Sequence, residues 1–362
     1  MKDLSEHSND LVIDSLNKLK TELQLNQLEI GPLAKPLTID FYEKWLAKKY
    51  HAEMGYLADH LAIKKSPQIL NNNLDSVITV SQAYFPAVEK LTNPFPARVA
   101  MYAQNKDYHY WLKDKLLKII SELKLIYPNE DFLPFVDSGP VLERNWAYEN
   151  GLGWFGKNTC LIHPKHGSLF FIAEIFTSIK IAKKNLAPLP DFCGKCQKCI
   201  DVCPTGALIE PQTLKADLCI SYLTIEAKSS PPLELRSKMG DWFFGCDLCQ
   251  TTCPWNEKVF RQLNLQSSAE TDTEALLNLS NLEKTELIQF FKKILNSSNK
   301  KITKDFNGTA LMRAGGNGLK RNALIVIGNR KIQELKEDVK LQIANPKLAE
   351  LASWCLDQLQ IN

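Results

Sequence analysis

The chain has 362 residues, of which 44% are hydrophobic and 23% charged, and a formal net charge of +3. This length fits two or three domains of roughly 150 residues, and the composition is typical of a soluble globular protein. No apolar run approaches the roughly 18 residues that span a bilayer, and the opening MKDLSEHSND lacks a signal-peptide core. We therefore expect a cytoplasmic protein without a membrane segment, in which clustered cysteines bind metal.

The first half of the chain is expected to mix helices and strands. Apolar spacing predicts helices over 9–25, 41–60 and 108–124. Segments 76–85 and 168–176 are rich in β-branched and aromatic residues and predict buried strands. The Gly-rich, polar stretch 137–160 precedes the second strand, and loops next to strands commonly carry functional sites.

The second half changes character at the proline-punctuated segment 183–192, after which eight of the ten cysteines follow within about sixty residues. A polar connection is expected over 263–280. Short helices are then expected, including 319–329 and 346–359. Paired short helices over this length fit a small helical-repeat unit.

The first cysteine group, CGKCQKCIDVCP, has the spacing C-x2-C-x2-C-x3-C-P, which is that of bacterial two-cluster ferredoxins. In that arrangement the fourth cysteine serves the other cluster. A zinc site would more often have two separated pairs of cysteines. Cys203 therefore requires a second iron–sulfur cluster.

The second group, GCDLCQTTCPWN, repeats C-x2-C-x3-C-P but has Phe243 where the first cysteine would stand. Cys219 is the nearest spare thiol upstream. The resulting assignment has two 4Fe–4S clusters with four ligands each. They are Cys193, Cys196, Cys199 and Cys253 for cluster one, and Cys203, Cys219, Cys246 and Cys249 for cluster two. Cys160 and Cys355 are interpreted as packing residues.

Four motifs together resemble the epoxyqueuosine reductases: the stretch 137–162, the cysteine module, CISYLTIE (219–226) and NGTALMRAGGNGLKRNALIVIGN (307–329). The segments MGYLADH (54–60) and DYH (107–109) are also similar to that family. The resemblance runs from about Met54 to Asn329 in one order along the chain.

The resemblance implies an α+β multidomain protein. Its expected parts are a nitroreductase-like cobalamin-binding α/β domain (1–185), a bacterial two-cluster ferredoxin module (186–260) and a C-terminal HEAT-like helical domain that binds tRNA (270–362). The implied reaction reduces epoxyqueuosine to queuosine at the tRNA wobble position and removes the epoxide oxygen as water. The expected cofactors are cobalamin and two 4Fe–4S clusters. A monomer and an unidentified low-potential electron donor are also expected.

Asp137 resembles the proton donor of that family. A carboxyl against an apolar corrin would have its pKa raised by desolvation, as a general acid near neutral pH requires. The alternative from the residues alone is that Asp137 caps the turn DSGP. His109 and His163 are interpreted as structural or surface residues, because the resemblance implies cobalamin without a protein imidazole ligand.

Further contacts to the corrin are predicted from two segments. GWFGKNT supplies glycines and the polar residues Lys157, Asn158 and Thr159, with a tight turn as the alternative. SYLTIE supplies Ser221 and Thr224 as cofactor or substrate contacts, with helix capping as the alternative. The family commonly has an arginine where Met101 stands, which puts a contact from that position in doubt.

Segment 296–331 has eight cations and one acidic residue, a net charge of +7 in a chain of +3. Concentrated cations suit phosphate contacts, although a solvated helical face has the same composition. With the resemblance, we predict tRNA contacts from Lys300, Lys301, Lys304, Arg313, Lys320 and Arg321.

Two other functions are compatible with the residues. One is a related cobalamin reductase for a small molecule such as an organohalide, which would not need the basic C-terminal region. The other is an electron carrier with an accessory domain, which would not bind cobalamin.

Overall fold

Structural elements are described over residues 4–84, 95–181, 188–262 and 284–360 of a computed structural model. The strands in chain order are β1 (Gln27–Pro32), β2 (Ser76–Ala83), β3 (Arg98–Val99), β4 (Phe132–Phe135), β5 (Trp154–Phe155), β6 (Leu161–Ile162), β7 (Phe170–Thr177), β8 (Leu208–Glu210), β9 (Thr213–Leu214) and β10 (Trp242–Phe244).

The helices in the first part of the chain are α1 (Leu4–Glu22), α2 (Ile39–Ala47), α3 (Leu61–Lys65), α4 (Tyr108–Ile126) and α5 (Glu143–Glu149). The cysteine-rich part contains α6 (Lys198–Asp201), α7 (Ile220–Ile225), α8 (Leu233–Arg236), α9 (Leu248–Thr251) and α10 (Pro254–Gln262). The last part contains α11 (Lys284–Asn296), α12 (Asn299–Asp305), α13 (Gly315–Asn329), α14 (Lys336–Lys340) and α15 (Ala349–Gln360).

A four-stranded antiparallel sheet with the order β1-β2-β7-β4 forms the centre of the first part. Its two central strands confirm the predicted buried strands within their described residues. Helices α1 and α4 cover one face, where Leu16 and Leu116 pack with Val80 and Ile175. Helix α5 covers the other face, where Trp146 meets Phe176 edge to face. The sheet thus holds α4 on one face and α5 on the other. The chain that follows β4 lies between α5 and the start of α4.

The helix predicted over 41–60 is wrong beyond residue 47. Lys49 and Ala52 both have left-handed backbone conformations, with φ of 56° and 53°. Because L-residues in that conformation cannot continue a right-handed helix, the chain turns after α2. A short 3-10 turn over Gly55–Leu57 follows, and it carries Tyr56 at the surface.

The cysteine-rich part contains two short helices in equivalent places, α6 and α9, each within a C-x2-C-x3-C-P motif. Helix α7 begins directly after Cys219. Strand β10 pairs in parallel with β3 of the first part. These contacts join the cysteine-rich part to the sheet-containing part.

The C-terminal helices share one hydrophobic core with residues 216–244 of the cysteine-rich part. Phe243 is completely buried in this core and contacts Phe290 and Phe291. This packing explains why no cysteine stands at position 243, since the side chain points into the helical core. The helices predicted over 319–329 and 346–359 are confirmed as parts of α13 and α15, apart from the first residues of the second segment.

The predicted polar connection over 263–280 lies outside the described residues, as does the first half, 183–187, of the predicted boundary 183–192. Among the helices that the structure describes, none combines the length and apolar character needed to cross a membrane.

Candidate active site and iron–sulfur centres

His109 lies between two carboxylates at the start of α4. Asp107 caps this helix, because its Oδ1 accepts from the backbone N–H of His109 at 3.0 Å. The same oxygen lies 2.6 Å from Nδ1 of His109, and Oδ2 of Asp137 lies 3.3 Å from Nε2. Tyr108 also donates a hydrogen bond to Asp137. The imidazole is therefore oriented by Asp107 toward Asp137.

Asp137 is held in a strained loop conformation after β4. Its φ of 56° is left-handed, which is uncommon for a residue other than glycine and is frequent at functional sites. Its backbone N–H donates to Oε1 of Glu143 at 2.5 Å. Its side chain remains 53% exposed, so the carboxyl is accessible as well as oriented.

The predicted rise in the pKa of Asp137 against an apolar corrin stays a prediction, and the protein groups around Asp137 act in the opposite direction. Burial raises the pKa of this carboxyl, but the hydrogen bonds from His109 and Tyr108 outweigh burial and lower it overall. The same bond to Asp137 is the largest cause of the raised pKa of His109, partly opposed by desolvation. Both shifts favour an imidazolium–carboxylate pair over a neutral imidazole beside a protonated carboxyl.

The interpretation of His109 as a structural or surface residue rather than a cobalt ligand stays a prediction, and the structure adds its contact with Asp137. The sequence did contain a signal, since DYH is one of the segments similar to the family, but only tertiary structure brings it to Asp137. His163, in contrast, stacks on His166 and accepts backbone N–H groups of residues 165 and 166. Its part in the loop is structural, as predicted.

The surroundings of Asp137 come from three distant parts of the chain. Arg313 donates to Glu226 at 2.8 Å and lies over the ring of Tyr56. Its positive charge lowers the pKa of Asp137, and burial raises the pKa of nearby Tyr102. Arg313 was predicted to contact tRNA phosphate, but its ion pair places it beside the acid site.

The thiols predicted for cluster one lie within electrostatic range of one another. Burial, with the charges of Cys253, Cys193 and Cys196 adding to it, raises the pKa of Cys199 to about 11. Trp154 and Trp255 pack edge to face beside this group, with a centroid separation of 5.0 Å. The fold thus brings Cys253 close to the other three thiols, although it lies far from them in the sequence.

The thiols predicted for cluster two form a separate group. Burial raises the pKa of Cys246 well above its ordinary value, and the charges of Cys219 and Cys203 add to it. Burial likewise raises the pKa of Cys249 well above its ordinary value, and the charges of Cys160, Cys246 and Cys219 add to it. The backbone N–H of Ala207 donates to Sγ of Cys203 at 3.3 Å. Two sets of four thiolates are the donor chemistry that two 4Fe–4S clusters require.

Helix α7 connects the second thiol group with the acid site. Cys219 precedes this helix, and Glu226, the partner of Arg313, follows it. At 1.5 Å per residue the helix is roughly 10 Å long. One short helix therefore joins the second thiol group to the surroundings of Asp137.

The polar residues of GWFGKNT support the cysteine loops in this structure. Nζ of Lys157 donates to the carbonyls of Gly194 and Cys196 at 2.7 and 2.9 Å. Asn158 is buried and donates to the carbonyl of Cys249 at 3.0 Å. The carbonyl of Thr159 accepts from Arg144. The first two side chains are therefore committed to loops that carry thiols.

The glycines of this segment are explained by packing. A Cβ at position 153 would lie 2.4 Å from the carbonyl oxygen of Ile162, which is on the neighbouring strand β6. The tight-turn alternative is therefore sufficient for Gly153, and no close approach of a ligand is needed to account for it.

Within SYLTIE, Ser221 is half-buried and Thr224 is completely buried. The Thr224 hydroxyl donates to the carbonyl of Ile220 and accepts from the N–H of Gly245. The prediction of a cofactor contact is therefore wrong for Thr224. Met101 is likewise buried, and its N–H donates to Asp247 at 2.7 Å, so its side chain packs in the protein.

The basic segment divides into exposed and buried residues. Lys300, Lys301 and Lys304 are exposed on α12, although Lys301 pairs with Asp305. Lys320 is half-buried. The prediction of a tRNA contact is wrong for Arg321, which is 3% exposed and donates to the carbonyl of Ala227.

An open groove of about 590 Å³ lies next to Asp107, between the first part of the chain and the C-terminal helices. The backbone N–H of Asp107 donates to the carbonyl of Gly308 across this boundary. The lining residues are Phe95, Gln104, Asn105, Lys106, Asn307, Gly308 and Thr309. The sequence did not predict this groove, because its walls come from segments about 200 residues apart.

Two thiol sets beside an imidazolium–carboxylate pair define an iron–sulfur oxidoreductase. Residues 192–256 match the family described as 4Fe-4S double cluster binding domain, and residues 64–138 match Epoxyqueuosine reductase QueG, DUF1730. The epoxyqueuosine reductase of Escherichia coli K12 is 35% identical over 356 residues, 95% of this chain and 90% of that one. The chain belongs to the epoxyqueuosine reductase family.

Other relatives agree with this membership. The epoxyqueuosine reductase of Cyclobacterium marinum is 37% identical over 280 residues, which cover 77% of this chain and 85% of that protein. The solved structure of the Bacillus subtilis epoxyqueuosine reductase superposes with a TM-score of 0.80 at 24% identity, covering 97% of this chain and 91% of that one. An epoxyqueuosine reductase solved with an epoxyqueuosine-modified tRNA-Tyr stem loop gives 0.78 at 23% identity, with the same coverage. These structures share the overall fold, and the family predicted from the sequence is confirmed.

Proposed function

We propose that this chain reduces epoxyqueuosine in tRNA to queuosine, with Asp137 and His109 as the proton-donating pair. The observation that carries this proposal is the 3.3 Å contact between Asp137 and His109, near the end of a helix that starts at Cys219. Family membership supplies the substrate, and the pair supplies the proton that the departing oxygen requires.

The reaction consumes two electrons and two protons, breaks both carbon–oxygen bonds of the epoxide and forms an alkene and water. Asp137 presents its exposed carboxyl to the substrate oxygen, while His109 holds the proton. Asp107 keeps the imidazole in place through Nδ1, so that Nε2 faces Asp137. Arg313 and Tyr108 keep the carboxylate oriented and compensate its charge between turnovers.

We assign Cys193, Cys196, Cys199 and Cys253 to cluster one, and Cys203, Cys219, Cys246 and Cys249 to cluster two. Support comes from the two thiol groups and from the ferredoxin spacing. A low-potential donor reduces the clusters, and α7 links cluster two to the acid site.

Cobalamin, when bound, supplies a strongly reducing cobalt centre that no side chain provides. The open side of Asp137, bordered by Tyr102 and Arg313 near the end of α7, suits a site for this cofactor. Ser221 and Thr159 remain candidate contacts. Lys157 and Asn158 support the cluster loops and act on the cofactor only indirectly.

We propose the tRNA surface at Lys300, Lys304 and Lys320, with Lys301 contributing when it leaves Asp305. These cations lie on the C-terminal helices, which also border the groove beside Asp107. Phosphate contacts from exposed lysines are screened by salt, so tRNA affinity is expected to fall steeply with ionic strength.

For this function we propose the three domains with the boundaries predicted from the sequence. Residues 1–185 form a nitroreductase-like cobalamin domain, 186–260 the ferredoxin module and 270–362 a HEAT-like helical domain. The mixed sheet-and-helix first part and the paired C-terminal helices support these descriptions. We further propose a cytoplasmic monomer, because the substrate is tRNA.

The decisive experiment is anaerobic turnover of epoxyqueuosine-containing tRNA, with and without cobalamin, read by nucleoside mass spectrometry. The parent is expected to form queuosine only with cobalamin. Asp137→Asn should keep its iron and lose turnover, whereas Asp114→Asn, at an exposed position of α4, should match the parent. Parent protein that dehalogenates an aryl halide but leaves the tRNA unchanged would support the small-molecule reductase instead.

A further inference from the structure

A buried carboxyl without a hydrogen-bond partner lies in the middle of the central sheet. Glu174 on β7 is 0% exposed, and neither of its carboxyl oxygens has a hydrogen-bond partner among the described residues. Its backbone neighbours across the sheet are Thr79 on β2 and Phe135 on β4. Because a buried polar group without a partner is costly, its retention in a core strand calls for an explanation.

Glu174 lies on the sheet face that α5 covers. Side chains alternate along a strand, and Ile172 and Phe176, two residues to either side, pack against the α5 side. Helix α5 begins with Glu143, whose charge acts on Glu174. Both glutamates therefore lie where α5 covers the sheet, and the charge of one acts on the other.

Glu143 in turn touches the acid site. Its Oε1 accepts the backbone N–H of Asp137 at 2.5 Å. This bond leaves Oε2 of Glu143 available to carry a proton. Asp137, Glu143 and Glu174 thus form a row from the exposed site toward the core, linked by the bond from the Asp137 N–H to Glu143 and by the charge of Glu143 on Glu174.

The surrounding charges favour the protonated, neutral forms of Glu143 and Glu174. Burial and the charge of Asp137 raise the pKa of Glu143 to about 8, although the N–H of Asp137 and the positive charges of Arg144 and His109 oppose the shift. Burial also raises the pKa of Glu174, and only the carboxylates of Glu143 and Asp137 act on it further. Among the described residues whose charges shift the pKa of Glu174, none is a cation.

We propose that Glu143 and Glu174 form a buried proton store behind Asp137 that delivers the second proton of the reduction. This inference rests on the proposed function. The first proton passes from the Asp137–His109 pair to the epoxide oxygen as the first carbon–oxygen bond breaks. The second passes from Glu143 to Asp137 and on to the hydroxyl, which leaves as water, while Glu174 returns a proton to Glu143. The two electrons come from the reduced cofactors, and solvent reloads the store through the exposed Asp137.

The first test is an infrared measurement on the protein without substrate. Parent protein at pH 7 should show the carbonyl stretch of protonated carboxylic acids in a hydrophobic environment. Glu174→Gln and Glu143→Gln should each lose part of this band in difference spectra against the parent. A parent spectrum without any such band at pH 7 would overturn the proposal, whether or not the variants fold.

The second test is single-turnover reduction of epoxyqueuosine tRNA by pre-reduced, cobalamin-loaded enzyme. Glu174→Gln should form queuosine at least tenfold more slowly than the parent, with unchanged tRNA affinity and iron content. Glu149→Gln is the matched control, since Glu149 also lies on α5 but bonds to Leu37 and Asn145, away from the row. A parental rate in Glu174→Gln would refute the store, whereas an inactive parent would refute the proposed function and leave the infrared result to decide this one.

Discussion

Nε2 of His109 lies 3.3 Å from Oδ2 of Asp137, and this contact sets the protonation of both groups. The carboxylate is the largest cause of the raised pKa of the imidazole, while the imidazole and Tyr108 together lower the pKa of the carboxyl. A general acid at this site is therefore an ion pair whose proton is stored on the histidine. The sequence pointed to Asp137 alone, and the structure adds His109 to it.

Turnover should depend on the protonation of His109. Because its pKa is raised above the ordinary 6.5, the rate of epoxide reduction should be full below that value and fall as pH rises through the raised pKa. His109→Gln should lower turnover by about 100-fold, the low end of general-acid contributions, and remove this pH dependence. The measurement is a pH–rate profile at saturating tRNA. A His109→Gln profile that retains the parental alkaline decline would contradict the assignment.

The same pair should leave a pH signature in stability. The lowered pKa of Asp137 contributes stability that is present above about pH 4 and lost as pH falls through the folded pKa. The raised pKa of His109 contributes stability that is present below about pH 6.5 and lost as pH rises through the folded pKa. Thermal unfolding of the parent and Asp137→Asn should therefore differ most between these values. A difference in Tm that is constant with pH would show that the pair is not linked to folding.

Cys219→Ala should lose one cluster and keep the other. Cys219 lies with Cys203 and Cys246, apart from the thiols around Cys199. Iron should fall from about eight to about four atoms per chain, the content of one 4Fe–4S cluster. Cys160→Ala is the control, since Cys160 is not a predicted ligand and should keep all the iron. A Cys219→Ala protein with about eight irons would refute the ligand assignment.

Substitution of Arg321 should affect folding stability, whereas substitution of the exposed lysines should affect tRNA binding. Arg321→Glu buries an unpaired charge and removes bonds to Ala227 and Asn322, so it should destabilise folding by about 3–5 kcal/mol. The double substitution Lys300→Glu and Lys304→Glu should leave the Tm nearly unchanged and weaken tRNA binding at low salt. Denaturant unfolding and tRNA titration at two ionic strengths distinguish the cases. Unaltered tRNA affinity in the lysine variant would exclude α12 from the tRNA surface.

Asn256→Ala should loosen the cysteine-rich part from the central sheet. Asn256 is fully buried, accepts from the N–H of Ser168 at 2.7 Å and donates to the Ser168 hydroxyl and the Gln250 carbonyl. Leaving those groups without partners should cost roughly 1–3 kcal/mol each where no water replaces the amide. Chemical denaturation should show a lower midpoint, with Asn296→Ala, at an exposed position, as the control. An unchanged midpoint would mean that Asn256 does not fasten this contact.

The sequence by itself determined the two-cluster ferredoxin character, the family and the main strands and long helices. Ferredoxin spacing is decisive because C-x2-C-x2-C-x3-C-P constrains thiol geometry locally, within a few residues. The buried strands 76–83 and 170–177 were predictable for a similar reason, since β-branched and aromatic runs favour a core strand wherever it pairs. Long helices such as α4 follow from apolar periodicity within one segment.

Only the tertiary structure decided which side chains meet and which are buried. It ended α2 at Ala47, where left-handed residues interrupt a helical pattern. It buried Arg321 in the core, although a count of charges treats every arginine in a basic segment alike. It also set His109 against Asp137 and placed Glu143 and Glu174 behind them. Protonation depends on burial and on charges from distant segments, so the chemistry of this site is a property of the folded chain.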